Sequence, residues 1–244
     1  MKNILILIAC AVLFAQCRPA DVEVQPTGSF DTLGINWMTI ERSNVIYYFQ
    51  GTGAKAATVY TDLHEEAYEE LNNYFEATLP RKLRFFVWTD WSKARQILNH
   101  FPGFALPENC ICHVRANQTL GHEIAHILAY WAWGVPFNSY SKFTNEGLAV
   151  AFDLSGRDKI ALAKESLEGS NIKSILEIWQ DAERTPDEIL YPVGGAFMEF
   201  MRNQSQPDEY KTLIKNQTIQ DAEQIYGKDR LHTLIASFNS QLGL

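Results

Sequence analysis

Apolar and polar positions alternate along NVIYYFQ, residues 44–50, well enough to predict a half-buried strand. From 57 to 79 the pattern changes. Val59, Leu63, Ala67, Leu71 and Phe75 recur every four residues, which predicts a helix that Pro80 closes. KLRFFVWTD, residues 82–90, predicts a second strand, WSKARQIL a short helix, Gly103 and Pro107 a loop, and CICHVRA a third strand. That order implies a mixed sheet with helices packed on it. Beyond Asn117 the strand signals fade. Helices are predicted near 117–133, 143–154, 158–167, 172–182, 190–203, 207–213, 218–225 and 229–241. Gly134 and Pro136 stop the first of these, and Pro207 opens the sixth. The expected fold class is α+β. One domain spans 44–244, with a sheet-containing lobe over 44–116, a helical lobe over 117–244 and a cleft between them.

Composition changes little in this picture. With 244 residues and 46% hydrophobic content, the chain can bury one sizeable core. A net charge of −8, without any run of Lys or Arg, argues against nucleic acid as a partner. The first 17 residues matter more. One Lys precedes an apolar run from Ile4 to Phe14 that is too short to span a bilayer comfortably and suits an export signal. The segment can end by cleavage near Ala15. Alternatively, Leu13–Cys17 resembles a bacterial lipobox, and Cys17 then becomes a lipid-carrying first residue, although Gln16 fits that pattern poorly. Residues 18–43 are expected to be a tether, and the protein to be exported to the bacterial cell envelope, anchored through Cys17 or else secreted or periplasmic. Cys110 and Cys112, at i and i+2, are too close for an unstrained disulfide and are expected to be buried thiols.

One helix carries an unusual load. LGHEIAHILAYW, residues 120–131, is apolar except for His122, Glu123 and His126 in its middle. Two histidines four apart project from one helical face, one turn above the other, so both rings can meet a single ion. Glu123 leans over the same side and can take a proton from an attacking water that the metal activates. A hydrolytic site needs a third protein ligand. Ala129 and Ala132 stand where a metzincin has Gly and His, which excludes that class. TNEGLAVAF supplies Glu146 after 19 intervening residues, with Gly134 and Pro136 to reverse the chain and Gly147 to allow two backbones to approach. Asn117 is expected to cap the HExxH helix. Trp131, Trp133, Phe137, Tyr140 and Phe143 surround the turn between the two metal helices; they can line a groove for an apolar side chain, but most are expected to be core that fixes the two helices together. His64, His100, His113 and His232 lack ligand spacing.

HEIAH followed by NEGLA resembles the gluzincin metallopeptidases, the thermolysin and aminopeptidase N group, and most closely the small peptidase MA-like domains. The resemblance implies a zincin-like fold and one Zn²⁺ per chain, held by His122, His126 and Glu146. It further implies hydrolysis of a peptide or protein substrate with Glu123 as the base. YPVGGAF is similar to the segment in which aminopeptidases place an oxyanion-stabilising Tyr, which implies that role for Tyr191. Two departures qualify the likeness. The GxMEN segment that holds a free amino terminus is missing, so an endopeptidase is expected. Val150 stands where thermolysin-like enzymes have an Asp that orients a His, and Asp153 is the nearest acid downstream. The alternatives are a binding lipoprotein that keeps the fold without the chemistry, and a peptidase directed to glycoproteins.

Overall fold

The computed structural model describes residues 28–136 and 140–244. The expected export signal, Cys17, the first part of the tether and Phe137 lie outside the described residues. The rest of the expected tether is not a tether. Residues 28–41 form a hairpin of β1 (Gly28–Thr32) and β2 (Ile35–Glu41). The turn between them is Leu33–Gly34, with φ of 57° and 65°, which matches the right-handed twist of paired strands. Leu at the first position hides the turn, because Asn or Asp is the usual signal there.

The hairpin continues into β3 (Val45–Gln50), α1 (Ala54–Phe75), β4 (Leu83–Trp88), α2 (Trp91–Leu98), β5 (Phe104–Leu106) and, after one 3₁₀ turn at Pro107–Asn109, β6 (Ile111–Arg115). The six strands lie in the order β1-β2-β3-β4-β6-β5. β3, β4 and β6 run parallel, whereas β1, β2 and β5 join antiparallel, so β5 forms one edge. Side chains alternate between the faces. Val45, Tyr47, Phe49, Leu83, Phe85, Val87, Cys112 and Val114 enter the main core with α1. Trp37, Phe86 and Trp88 join Ala94 of α2 in a smaller core on the opposite face. Cys110 and Cys112 are buried free thiols. Cys110 precedes β6 in the left-handed region, with φ of 50°.

The buried face of α1 is not the predicted one. Ala57, Thr61, His64, Ala67, Tyr68, Leu71 and Phe75 are buried, while Val59 and Leu63 are exposed. A strict spacing of four drifts by about 40° per step around a helix of 3.6 residues per turn. Four such steps separate Val59 from Phe75, about 160°, and put them on opposite sides.

The second half is helical throughout its described residues: α3 (His122–Trp133), α4 (Lys142–Ala151), α5 (Lys159–Leu167), α6 (Ile175–Gln180), α7 (Asp187–Gln204), α8 (Pro207–Asn216), α9 (Ile219–Tyr226) and α10 (Lys228–Leu242). Ile124, Ile127 and Leu128 bury one side of α3 in the main core. Phe143 is buried against Trp179 and Phe197, and Trp133 packs on Phe75, which fits the core reading of both. Tyr140, by contrast, is 70% exposed.

The contact that matters most for the site joins α4 to α7. A Cβ built on Gly147 would lie 2.7 Å from the Gly194 carbonyl oxygen, and one on Gly195 would lie 2.1 Å from Val150 Cγ1. The room expected at Gly147 is therefore filled by α7, not by α3. Neither position accepts a methyl unless its neighbour shifts. Gly195→Ala is expected to destabilise the protein by about 1–3 kcal/mol. Adding Val150→Ala should return part of that loss. Urea unfolding of the two single variants and the double variant measures both effects, and a neutral Gly195→Ala would contradict the packing described.

Candidate metal centre

α3 begins at His122 rather than near 117, so Asn117 does not cap it. Its first residue follows Gly121, whose φ of +94° is open to glycine and strained for other residues. A Cβ there would also press on Leu71 and on the Phe152 carbonyl at 3.2 Å. The segment between β6 and α3 turns back instead, through a bond from Gln118 N–H to the Arg115 carbonyl. This places the Gln118 side chain against the helix it precedes.

His122, Glu123, His126 and Tyr130 share one side of α3 and line a pocket of about 150 Å³. Glu146 and Asn145 of α4 and Tyr191 of α7 enter it from the helical half. Gly103, Phe104, Ala105 and Pro107, on and beside β5, enter from the sheet half. The Gly147–Gly194 approach explains two of these positions. It sets Glu146, one residue before Gly147, beside Tyr191, one helical turn before Gly194.

Glu146 Oε2 lies 3.3 Å from His122 Nε2 and 3.7 Å from His126 Nε2. One donor atom from each of the three residues lies within 4.8 Å of the others. Donors about 2.0–2.1 Å from a shared ion at the tetrahedral angle are about 3.4 Å apart. The set is therefore the right size for zinc, and two imidazoles with one carboxylate are the donor types zinc takes in open catalytic sites. Burial pushes the Glu146 carboxyl up, but hydrogen bonds with His122 and His126 more than offset it and hold the group well below its usual range. Burial lowers His126, whereas Glu146 and Asn145 raise it, and the net direction is up. Both directions favour positive charge among the three groups. A divalent cation supplies that charge to all three groups at once.

Glu123 stands beside this set. It is buried, and Gln118 Nε2 donates a hydrogen bond to its Oε1. Gln118 Oε1 accepts from Arg115 N–H, so the same amide spans the end of β6 and the Glu123 carboxylate. The Tyr191 ring lies nearly parallel to that of His122, with centroids 6.0 Å apart. Burial, reinforced by the Glu146 carboxylate, pushes the Tyr191 phenol well above its ordinary value, so it remains a hydrogen-bond donor at neutral pH.

Two other residues resolve against a role. Asp153 accepts from Ser155 N–H at 2.6 Å and faces Arg157, so it does not orient a site histidine. His113 accepts from Trp88 Nε1 in the smaller core, and burial pushes its imidazole down to about 4. Gln118 and Asn145 are the site residues that pattern analysis misses. Asn145 at least carries a signal, as the residue before Glu146 in NEG.

No family model matches the chain, and no curated protein matches it. Among solved structures, the chain is similar to a two-domain M1 zinc metallopeptidase, determined as a mutant bound to L-arginine. The two are 12% identical, with a TM-score of 0.47. The match covers 89% of this chain and 58% of that one. The chain thus spans little more than half the length of that neighbour.

Proposed function

We propose that the protein is a zinc-dependent endopeptidase. The observation that carries this reading is the convergence of His122, His126 and Glu146 on one point of a pocket that also holds Glu123 and Tyr191. His122, His126 and Glu146 would hold the ion. Zinc bound there supplies Lewis acidity and an acidified water. Glu123, held by Gln118, takes the proton of the attacking water and passes it to the leaving amine. Tyr191 donates to the oxygen on which negative charge develops.

β5 would receive the substrate. It is an edge strand, and Phe104 and Ala105 lie on the pocket wall, so an extended peptide can add to the sheet there and pass the base. The acids of the pocket lining support internal cleavage. Among the described residues that line it, these are Glu123 and Glu146. Both have other work, which leaves no carboxylate to hold a free α-amine. We further propose export to the bacterial cell envelope, with anchoring through Cys17. No helix of the described residues is long and apolar enough to cross a membrane.

Purified protein is expected to contain about one zinc per chain by elemental analysis. It should cleave members of a diverse peptide library, lose that activity to a strong chelator, and regain it with added zinc. Absence of bound zinc, or cleavage indifferent to the chelator, would refute the reading.

A further inference from the structure

Gln217 lies 71 positions after Glu146 and outside the pocket lining, yet it is tied to the helix that carries that carboxylate. It is the C-cap of α8, fully buried, and sits in the left-handed region with φ of 70°, an uncommon conformation for a residue other than Gly. Its backbone N–H donates to the Leu213 carbonyl at 2.7 Å, which closes α8. Both of its oxygens serve other elements. Its Oε1 accepts from the N–H groups of Tyr140 and Ser141 at 2.7 and 3.1 Å. Its backbone carbonyl accepts from Thr144 Oγ1 at 2.9 Å and from Trp179 Nε1 at 3.2 Å.

Ser141 is the N-cap of α4, and Thr144 lies in its first turn, two residues before Glu146. One buried residue therefore grips α4 at its start through both side chain and main chain. The side-chain nitrogen, Nε2, is buried without a partner, so the oxygen is the working end of the side chain. The glycine contact with α7 fixes how close α4 lies to its neighbour. The grip of Gln217 adds a hold on the start of α4, at the turn that precedes Glu146.

We propose that Gln217 is a positioning residue of the metal centre, which holds the first turn of α4 so that Glu146 meets His122 and His126, and thereby sets metal affinity. This rests on the zinc reading above. Partners that orient ligands contribute about 10–100-fold to metal affinity.

The test is zinc affinity, measured by competition with a chromophoric chelator, beside thermal unfolding of the metal-free proteins. Gln217→Ala is expected to bind zinc about 10–100-fold more weakly. Gln217→Glu should recover most of that loss, because a carboxylate oxygen accepts the same two N–H groups and suits a helix N-terminus. Thr144→Val removes one bond of the grip at nearly constant volume and should weaken zinc binding by a smaller factor. It reads the same effect if Gln217→Ala does not fold. Ile35→Ala, in the smaller core on the far face of the sheet, should lower the unfolding temperature and leave zinc affinity unchanged. Wild-type affinity in Gln217→Ala or Thr144→Val overturns the proposal, as does equal loss in Ile35→Ala. A tight wild-type site with an unaffected Gln217→Ala overturns this proposal alone. Wild-type protein that takes up no zinc overturns the metal reading as well.

Discussion

Glu123→Gln is expected to keep its zinc and to lose about 10²–10⁴-fold in kcat, the range for removal of a general base. The separation follows from geometry. Glu123 is outside the group of three converging donors, so the ion has no need of it. It is buried and held by Gln118, so its carboxylate has one orientation rather than many. Gln has the same shape and can still pair with Gln118, which preserves the fold while removing the ability to accept a proton. Elemental analysis and steady-state kinetics on one cleaved peptide read the two effects independently. A variant that retains wild-type kcat removes Glu123 from the mechanism. Zinc uptake without any wild-type hydrolysis would instead describe a protein that keeps the metal for binding.

Glu146→Ala should act on the other quantity. It removes the donor that faces both imidazoles, at 3.3 and 3.7 Å, and leaves a two-histidine site on one turn of α3. Zinc affinity is expected to fall by more than the roughly 100-fold that marks the upper range for an indirect partner. Hydrolysis should vanish at zinc concentrations that saturate the parent. Chelator competition checks this directly. Unchanged affinity would mean that some other group completes the site, and the assignment of Glu146 would be lost.

Why some of this was readable from the residues and some was not has physical reasons. His122, Glu123 and His126 are placed by the period of a single helix, so their relation is local and survives without any tertiary information. Glu146 needs a chain reversal, which Gly134 announces by ending α3 in the left-handed region with φ of 69°. Tyr191 is carried to the site by the glycines that follow it. Gln118 and Gln217 have no such mark. Each acts through an amide that reaches across a turn or between helices, and a Gln on paper looks like any solvated side chain. The hairpin of β1 and β2 was concealed by Leu33 in a turn position that usually carries Asn or Asp, and β5 by being only three residues long. The helical half was predicted closely because amphipathic periods and terminal signals agree there. The buried face of α1 is not legible from a spacing of four, which drifts away from the helical period within a few turns.

The backbone contact of Gly147 with Gly194 has a mechanical corollary. At that point nothing deformable separates the helix bearing Glu146 from the helix bearing Tyr191, so the spacing of carboxylate and phenol is set by main chain. Natural or engineered drift in selectivity cannot easily retune one without dragging the other. The opposite wall of the pocket, Phe104 and Ala105, belongs to a three-residue edge strand that shares none of this helix contact.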